Sequence, residues 1–352
     1  MRKIFIIITI LININLVSII VSCQHSEESY KEFYKKGKKE YCNQNYELAI
    51  EYFSKTVKIA PDHSGAYAFR GDSYFKCGKI SNAFIDYNNS LKYNPKYVRG
   101  LFGNANAKYY IGDYIGSIIY FNKTITVNKN HITAHNQRGL AKQKIGDIYG
   151  ALKDFEQAII LDSNFANAYY NKAIVLFKLS DYEEAIDYFS NTLKIKPNHS
   201  SAYAFRGDSY YKCGKISKAS EDYDNSLKHN PKYVRALVGK ALVKSHMGDY
   251  NGSIKILNET INISKNHIIA HNQRGLAKQK VGDIFGALED FERTIILDSL
   301  FAEAYYNKAK ILLELSDTVE ACIYLYRANY MGFNDSLSLD NKICNKLNST
   351  SY

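Results

Sequence analysis

The sequence predicts an all-α solenoid built from antiparallel helix pairs. Three observations lead to this fold class: a repeat of 34 residues, a regular alternation of apolar stretches with short breaks, and only 4 Pro in 352 residues. Proline interrupts helices, so its scarcity suits helices joined by short turns. Self-similarity at a fixed period of about 20 to 50 residues is typical of stacked repeats that share a continuous core.

The N-terminal segment, residues 1–22, is expected to be a signal peptide outside the fold. Two basic residues follow Met1, and an apolar run then extends to Val21. A positive start followed by an apolar run is typical of a secretory signal.

The end of this segment, Ile20-Val21-Ser22-Cys23, resembles the bacterial lipobox. The resemblance implies cleavage before Cys23 and attachment of lipid to its thiol, followed by a short tether over residues 23–29. A plain secretory signal that yields a secreted protein and an uncleaved membrane anchor are alternatives, since about 18 apolar residues barely span a bilayer.

The repeats are clearest when the chain is compared with itself. Ser64–Tyr97 and Ser200–Tyr233 are identical at 27 of 34 positions, and Ile132–Phe165 and Ile268–Phe301 also at 27 of 34. Both offsets equal four repeats, so the segment 64–199 is duplicated as 200–335. Nine repeats fit residues 30–335 without insertion, beginning at Tyr30, Ser64, Val98, Ile132, Ala166, Ser200, Val234, Ile268 and Ala302.

Each repeat divides into two apolar stretches, which predicts a helix pair. The break between them is often Gly-Asp, as at Gly112-Asp113 and Gly146-Asp147. Glycine takes the left-handed conformation that ends a helix, and aspartate caps the helix that follows. Proline marks the end of four repeats, at Pro61, Pro95, Pro197 and Pro231.

The pattern of small and large residues resembles the tetratricopeptide repeat (TPR) from Tyr30 to Asp335. Positions 8 and 20 of every repeat are Gly, Ala or Ser, where helices must approach closely. The other positions of the family pattern are also matched, as in the repeat Ala166–His199 by Tyr169, Ala173, Leu176, Ala185, Phe189, Thr192 and Pro197. The resemblance implies a right-handed superhelix whose concave groove is lined by the first helix of each pair. Residues 336–352 are predicted to form a capping helix and tail.

The sequence gives no indication of catalysis, a cofactor or a metal. His131 and His135 have helical ligand spacing, repeated at His267 and His271, but the second His of each pair falls at a packing position. The triplet Arg70-Gly71-Asp72 falls inside a helix, where adhesive use is disfavoured. Six Cys show no zinc spacing, and no disulfide framework is expected, although Cys322 and Cys344 could meet.

The groove predicted from the resemblance is rich in aromatic, amide and lysine side chains, which suit an extended peptide with acidic character. The candidate protein-binding residues are Tyr34, Lys38, Phe75, Lys76, Phe102, Asn106, Tyr109, Tyr110, Asn136, Gln143, Tyr170, Asn171, Phe177, Tyr211, Asn272 and Tyr306. The same positions include Tyr41, Phe69, Asp72, Arg99, Phe205 and Asp208. For each residue alone, solubility would be a sufficient reason for its polar character.

The sequence therefore predicts a non-enzymatic scaffold that binds a protein or peptide, anchored by lipid to a bacterial envelope membrane. An alternative is an accessory or regulatory subunit of an envelope enzyme complex. The net charge is +11, but basic and acidic residues alternate along the chain. Since no continuous basic stripe is present, no nucleic-acid partner is expected, and no small-molecule substrate is expected either.

Overall fold

In a computed structural model the chain is described over residues 29–333, 335–336 and 344. The predicted signal peptide and Cys23 lie outside the described residues, as does most of the predicted capping helix. Of that last segment, the residues at 336 and 344 are helical and buried. Among the helices of the described residues, none is both long enough and apolar enough to cross a membrane.

The described part of the chain is all-helical, with eighteen helices packed in pairs. The first helix of each pair is α1 (29–42), α3 (Ser64–Lys76), α5 (Val98–Tyr110), α7 (Ile132–Lys144), α9 (Ala166–Lys178), α11 (Ser200–Lys212), α13 (Val234–His246), α15 (Ile268–Lys280) and α17 (Ala302–Glu314). The second is α2 (Tyr46–Ile59), α4 (Ile80–Tyr93), α6 (Tyr114–Val127), α8 (Ile148–Leu161), α10 (Tyr182–Ile195), α12 (Ile216–His229), α14 (Tyr250–Ile263), α16 (Ile284–Leu297) and α18 (Thr318–Tyr330).

The two helices of a pair run antiparallel. In α3 and α4, Tyr67 stacks on Tyr93 with ring centroids 5.8 Å apart. One turn further along α3, Arg70 pairs with Asp86, which lies earlier in α4. Later residues of α3 therefore contact earlier residues of α4, as expected for antiparallel helices.

One large side chain at the same position of each second helix forms the centre of every repeat. These nine residues are Phe53, Tyr87, Phe121, Phe155, Phe189, Tyr223, Leu257, Phe291 and Leu325, and each is at most 1% exposed. The small residue on the facing first helix makes room for the ring. A Cβ added at Gly71 would lie 2.8 Å from the Tyr87 ring, and one at Gly139 would lie 2.7 Å from Phe155. The predicted small-against-large packing is therefore observed.

The turn inside each repeat is formed by a residue with positive φ. Six of the nine are glycines, such as Gly112 at +86° and Gly146 at +84°. Asp113 and Asp147 then cap the following helices, their Oδ1 atoms accepting from the N–H groups of Gly116 and Gly150 at 2.8 and 2.9 Å. The predicted roles of Gly-Asp, a glycine that ends one helix and an aspartate that caps the next, are therefore observed at these turns.

The chain divides into two compact units, residues 1–172 and 173–352. The division falls within α9. A repeat contacts mainly its neighbours, so a repeat array has no obligatory boundary at the start of a repeat. We refer to the two parts as the N-terminal and the C-terminal unit.

A disulfide in the C-terminal unit joins Cys322 of α18 to Cys344, 22 residues further along the chain. Cys344 packs beside Ala309 and Leu325. The expectation that the cysteines form no disulfide framework is therefore corrected at this pair. Cys42, Cys77 and Cys213 carry free thiols.

Candidate functional site

The predicted groove residues differ widely in their exposure. Lys38, Lys76 and Tyr110 are exposed, and most of the others are half-buried. The half-buried ones are Tyr34, Phe75, Phe102, Asn106, Tyr109, Gln143, Tyr170, Asn171, Phe177, Tyr211 and Tyr306.

Two of the predicted binding residues are buried. Asn136 is 3% exposed and its Oδ1 accepts from Asn171 at 2.9 Å. Asn272 is fully buried; its Oδ1 accepts from Asn307 at 3.2 Å and its Nδ2 donates to Glu303 at 3.1 Å. These amides link the first helices of successive repeats, so Asn136 and Asn272 lie in the packing between helices.

In the N-terminal unit a cavity of about 730 Å³ opens beside α3 and α5. It brings together four predicted residues, Phe75, Lys76, Phe102 and Asn106. We call it the aromatic cavity, and its remaining lining is Tyr41, Asp72, Tyr87, Lys96, Tyr97, Val98, Arg99, Gly103 and His131. Its volume is in the range of ligand-binding clefts, about 300 to 1,000 Å³.

A partly buried hydrogen-bonded network forms one wall of the aromatic cavity. Asp72 accepts from Arg99 Nη1 at 2.6 Å through Oδ2 and from the Tyr87 hydroxyl at 2.8 Å through Oδ1. The Arg99 guanidinium also lies over the Phe69 ring, 3.8 Å from its centroid. Burial raises the pKa of the Asp72 carboxyl, while Arg99 and Tyr87 oppose that rise. With a donor on each oxygen, the carboxylate holds Arg99 in a fixed position.

Aromatic rings form a second part of the lining, which we call the aromatic wall. The Phe102 ring stacks on His131 at 4.8 Å and contacts the buried Phe121 at 5.8 Å. Phe75 meets the ring of Tyr110 edge-on at 5.6 Å, and Tyr110 is 68% exposed. Phe102 is therefore partly a packing residue, whereas Tyr110 is available to a partner.

The C-terminal unit repeats the polar network but not the aromatic wall. Asp208 accepts from Arg235 at 2.5 Å and from Tyr223 at 2.7 Å, and Arg235 lies 3.9 Å from the centroid of Phe205. The positions of Phe102 and Asn106 are occupied by Val238 and Leu242. The duplicated blocks thus share a scaffold and differ in the side chains that a ligand would meet.

The remaining predicted residues lie apart from the aromatic cavity. In the N-terminal unit the Tyr34 ring meets the His63 ring at a tilt, with centroids 4.5 Å apart, and Lys38 Nζ lies 5.7 Å from the centre of the Tyr34 ring. Tyr109 contacts Tyr114. Gln143 and Tyr170 lie further along this unit, on α7 and α9.

In the C-terminal unit three predicted aromatic residues contact other rings. Phe177 meets Phe205 edge-on at 5.6 Å, and Tyr306 contacts Phe333 at 5.0 Å. The ring of Tyr211 meets His246 edge-on at 6.1 Å.

Several cavity residues were not predicted from the sequence. Lys96 and Tyr97 precede α5, and His131 precedes α7, because turn residues as well as first helices reach the cavity. A signal was present, since Lys-Tyr after Pro95 recurs as Lys232-Tyr233 after Pro231.

The paired histidines form hydrogen bonds to backbone groups at the start of α7 and α15. His131 Nδ1 accepts from the Ala134 N–H at 3.1 Å, and His135 Nε2 lies 3.0 Å from the Lys129 carbonyl oxygen. His267 and His271 repeat both contacts. In the part of the chain that the structure describes, no group of three His, Cys, Asp or Glu side chains is placed to hold a metal.

Gly71 of the Arg-Gly-Asp triplet lies in α3 against Tyr87.

Comparison with family models finds three segments that match a tetratricopeptide repeat. They cover residues 64–97, 166–199 and 272–332. Residues 204–269 match a model described as anaphase-promoting complex subunit 5. No curated protein shows significant similarity to the chain.

Solved structures show the same fold at low sequence identity. A tetratricopeptide repeat protein from Parabacteroides merdae is 22% identical with a TM-score of 0.58, covering 69% of this chain and 97% of its own. The Cut9–Hcn1 hetero-tetramer of the APC/C is 15% identical with a TM-score of 0.60, covering 84% of this chain and 58% of its own. PilF of Pseudomonas aeruginosa is 15% identical with a TM-score of 0.54, covering 59% and 94%.

The repeat matches and the fold together define the class of the molecule. The chain is a tetratricopeptide-repeat protein, a class of scaffold for protein–protein interaction.

Proposed function

We propose that the chain binds an extended segment of a partner protein at the aromatic cavity of its N-terminal unit. The observation that carries the proposal is the Phe75–Tyr110 pair, which presents an exposed aromatic surface beside a cavity of about 730 Å³. Tyrosine and phenylalanine contribute large contact areas at interfaces. The fixed Arg99 and the half-buried Asn106 supply polar groups next to this surface.

The duplicated block provides a matched control for this proposal. Tyr211 and His246 occupy the positions of Phe75 and Tyr110, and their rings meet edge-on at 6.1 Å as the first pair does at 5.6 Å. A substitution at either pair therefore removes an equivalent contact from the fold. Any difference in binding then reports on the ligand and not on packing.

The test is capture of the cellular partner by the purified chain and two double variants. Truncating aromatic anchors at an interface typically costs about 2 kcal/mol or more, which is about a 30-fold loss of affinity. We expect this loss for Phe75→Ala with Tyr110→Ala and little change for Tyr211→Ala with His246→Ala. Equal losses in the two variants, at unchanged melting temperature, would contradict a site in the N-terminal unit.

The proposal includes a lipid anchor at Cys23 and an envelope location, for which the support is the sequence Ile20-Val21-Ser22-Cys23. The Cys322–Cys344 disulfide adds support for export, because disulfides persist in oxidising compartments. More than one acyl chain on a mature Cys23 would give stable membrane attachment.

Intact mass of the protein purified from membranes tests the anchor. We expect a chain that begins at Cys23 and carries added lipid mass, and a Cys23→Ala variant that is not processed. A chain that retains residues 1–22, or one cleaved without lipid, would contradict the proposed anchor while leaving the binding site untouched.

A further inference from the structure

The charges around the aromatic cavity are unequal. Three cationic side chains line it, those of Lys76, Lys96 and Arg99, whereas Asp72 is the single acidic residue in its lining. Asp72 is bonded to Arg99 and to Tyr87. This pair leaves the two lysines as a local excess of positive charge.

Neither lysine makes a direct polar contact, although the Lys76 ammonium is near enough to Asp72 to favour its carboxylate form. Lys76 and Lys96 are exposed, and within the described residues neither side chain forms an ion pair or a hydrogen bond. Some exposed lysines of the N-terminal unit do pair, as Lys55 does with Glu51 at 2.6 Å. The cavity therefore presents an excess of positive charge beside an apolar surface made by Phe75, Val98 and Phe102.

Resting on the proposed function, we infer that the bound segment is an acidic peptide in which carboxylates alternate with large apolar side chains. The carboxylates lie near Lys76 and Lys96, and the apolar side chains cover Phe75 and Phe102. A polyphosphate backbone fits less well, because it offers no apolar groups for the aromatic wall and meets the Asp72 carboxylate. Charge complementarity of this kind determines which partner is accepted.

The second copy of the duplicated block keeps the two lysines but not the aromatic wall. Lys212 and Lys232 stand at the positions of Lys76 and Lys96, so both copies carry the same two lysines. Val238 and Leu242 replace Phe102 and Asn106. The inference therefore predicts that charge alone does not suffice for binding and that the N-terminal copy is the acceptor.

The experiment uses the full chain and three pools of fluorescein-labelled 12-residue peptides, read by fluorescence anisotropy. In the first pool Asp or Glu alternates with Leu, Phe or Tyr. The second replaces each acid by its amide, and the third keeps the acids but replaces each apolar residue by Ser. A single-stranded 12-nucleotide oligonucleotide serves as a polyanion without apolar side chains.

We expect the first pool to bind about tenfold more tightly than the amide pool, since two partly exposed ion pairs together supply about this factor. The third pool and the oligonucleotide keep their negative charges but lack apolar side chains to cover Phe75 and Phe102, so they should also bind more weakly than the first pool. Lys76→Gln with Lys96→Gln should remove the preference for acids, and Lys212→Gln with Lys232→Gln should leave it intact. The preference should weaken at high salt.

Three outcomes would overturn the inference. Equal binding of the acidic and amide pools would show that the site is selective for apolar groups only, and the proposed function would still stand. Equal binding of the oligonucleotide would show that any polyanion suffices. Absence of binding in all pools, together with unchanged partner capture by Phe75→Ala with Tyr110→Ala, would overturn the proposed function as well.

Discussion

At the scale of single residues, the turn inside each repeat shows how one backbone angle selects a residue type. Position 15 of all nine repeats has positive φ, and six of these residues are glycine. The other three are Gln44, Ser180 and Ser316, each with φ of 64°. A residue with a Cβ is disfavoured in this conformation by about 1 kcal/mol or more.

Exchange of residues between two such turns is predicted to have opposite effects. We expect Ser316→Gly to stabilise the protein by about 1 kcal/mol and Gly112→Ser to destabilise it by a similar amount. A Cβ at Gly112 would have no atom within 4 Å, so the second change adds no clash. Midpoints of urea unfolding measure both effects. Shifts in the same direction would show that backbone strain does not set the stability of this turn.

Side-chain burial at the groove was the least predictable property at this scale. The nine central residues and the small residues that face them follow from the 34-residue register alone. Asn136 and Asn272 occupy groove positions of the same register, yet they are buried between first helices. The periodicity fixes the direction of a side chain, but the closeness of neighbouring first helices decides whether it remains accessible.

At the scale of helices, the N-terminal caps alternate along the chain. His63, His131, His199 and His267 cap α3, α7, α11 and α15, each accepting an N–H through Nδ1. The equivalent residues before α5, α13 and α17 are aromatic and make no side-chain cap. Only the neutral imidazole can accept this bond, so protonation removes the cap.

The histidine caps predict a loss of stability in mild acid. Burial lowers the pKa of all four histidines below the usual value of about 6.5. The unfolded chain therefore binds protons before the folded chain does. The stability contributed by the caps is complete above about pH 6.5 and is lost as the pH falls through the lowered pKa values of the folded state.

A variant with Asn at all four positions isolates this effect, because Asn also caps helices but does not titrate. Melting temperatures measured between pH 7 and pH 5 should fall more steeply for the wild type than for the variant. Carboxylates and the remaining histidines, including His135 and His271, are common to both proteins. Parallel pH profiles would show that the caps do not contribute to the acid response.

At the scale of the whole molecule, duplication has produced two copies of one scaffold with different surfaces. The Asp–Arg–Tyr network is present in each copy with donor–acceptor distances that agree within about 0.1 Å. The aromatic wall is present at Phe102 and absent at Val238. The sequence predicted the scaffold, and the difference at Phe102 and Val238 can be read directly from the two copies. The contributions of Lys96 and Tyr97 required the structure, because these residues come from a turn.

Site-specific photo-cross-linking at the two equivalent positions tests the central claim most directly. A benzophenone amino acid is placed at Tyr110 or at His246, and the cross-linked peptides are identified by mass spectrometry. We predict that Tyr110 cross-links to one segment of one partner, and that a synthetic peptide of this segment loses affinity for the Phe75→Ala chain. Cross-linking of the same segment with equal yield from His246, or from His246 alone, would contradict a partner site at the aromatic cavity.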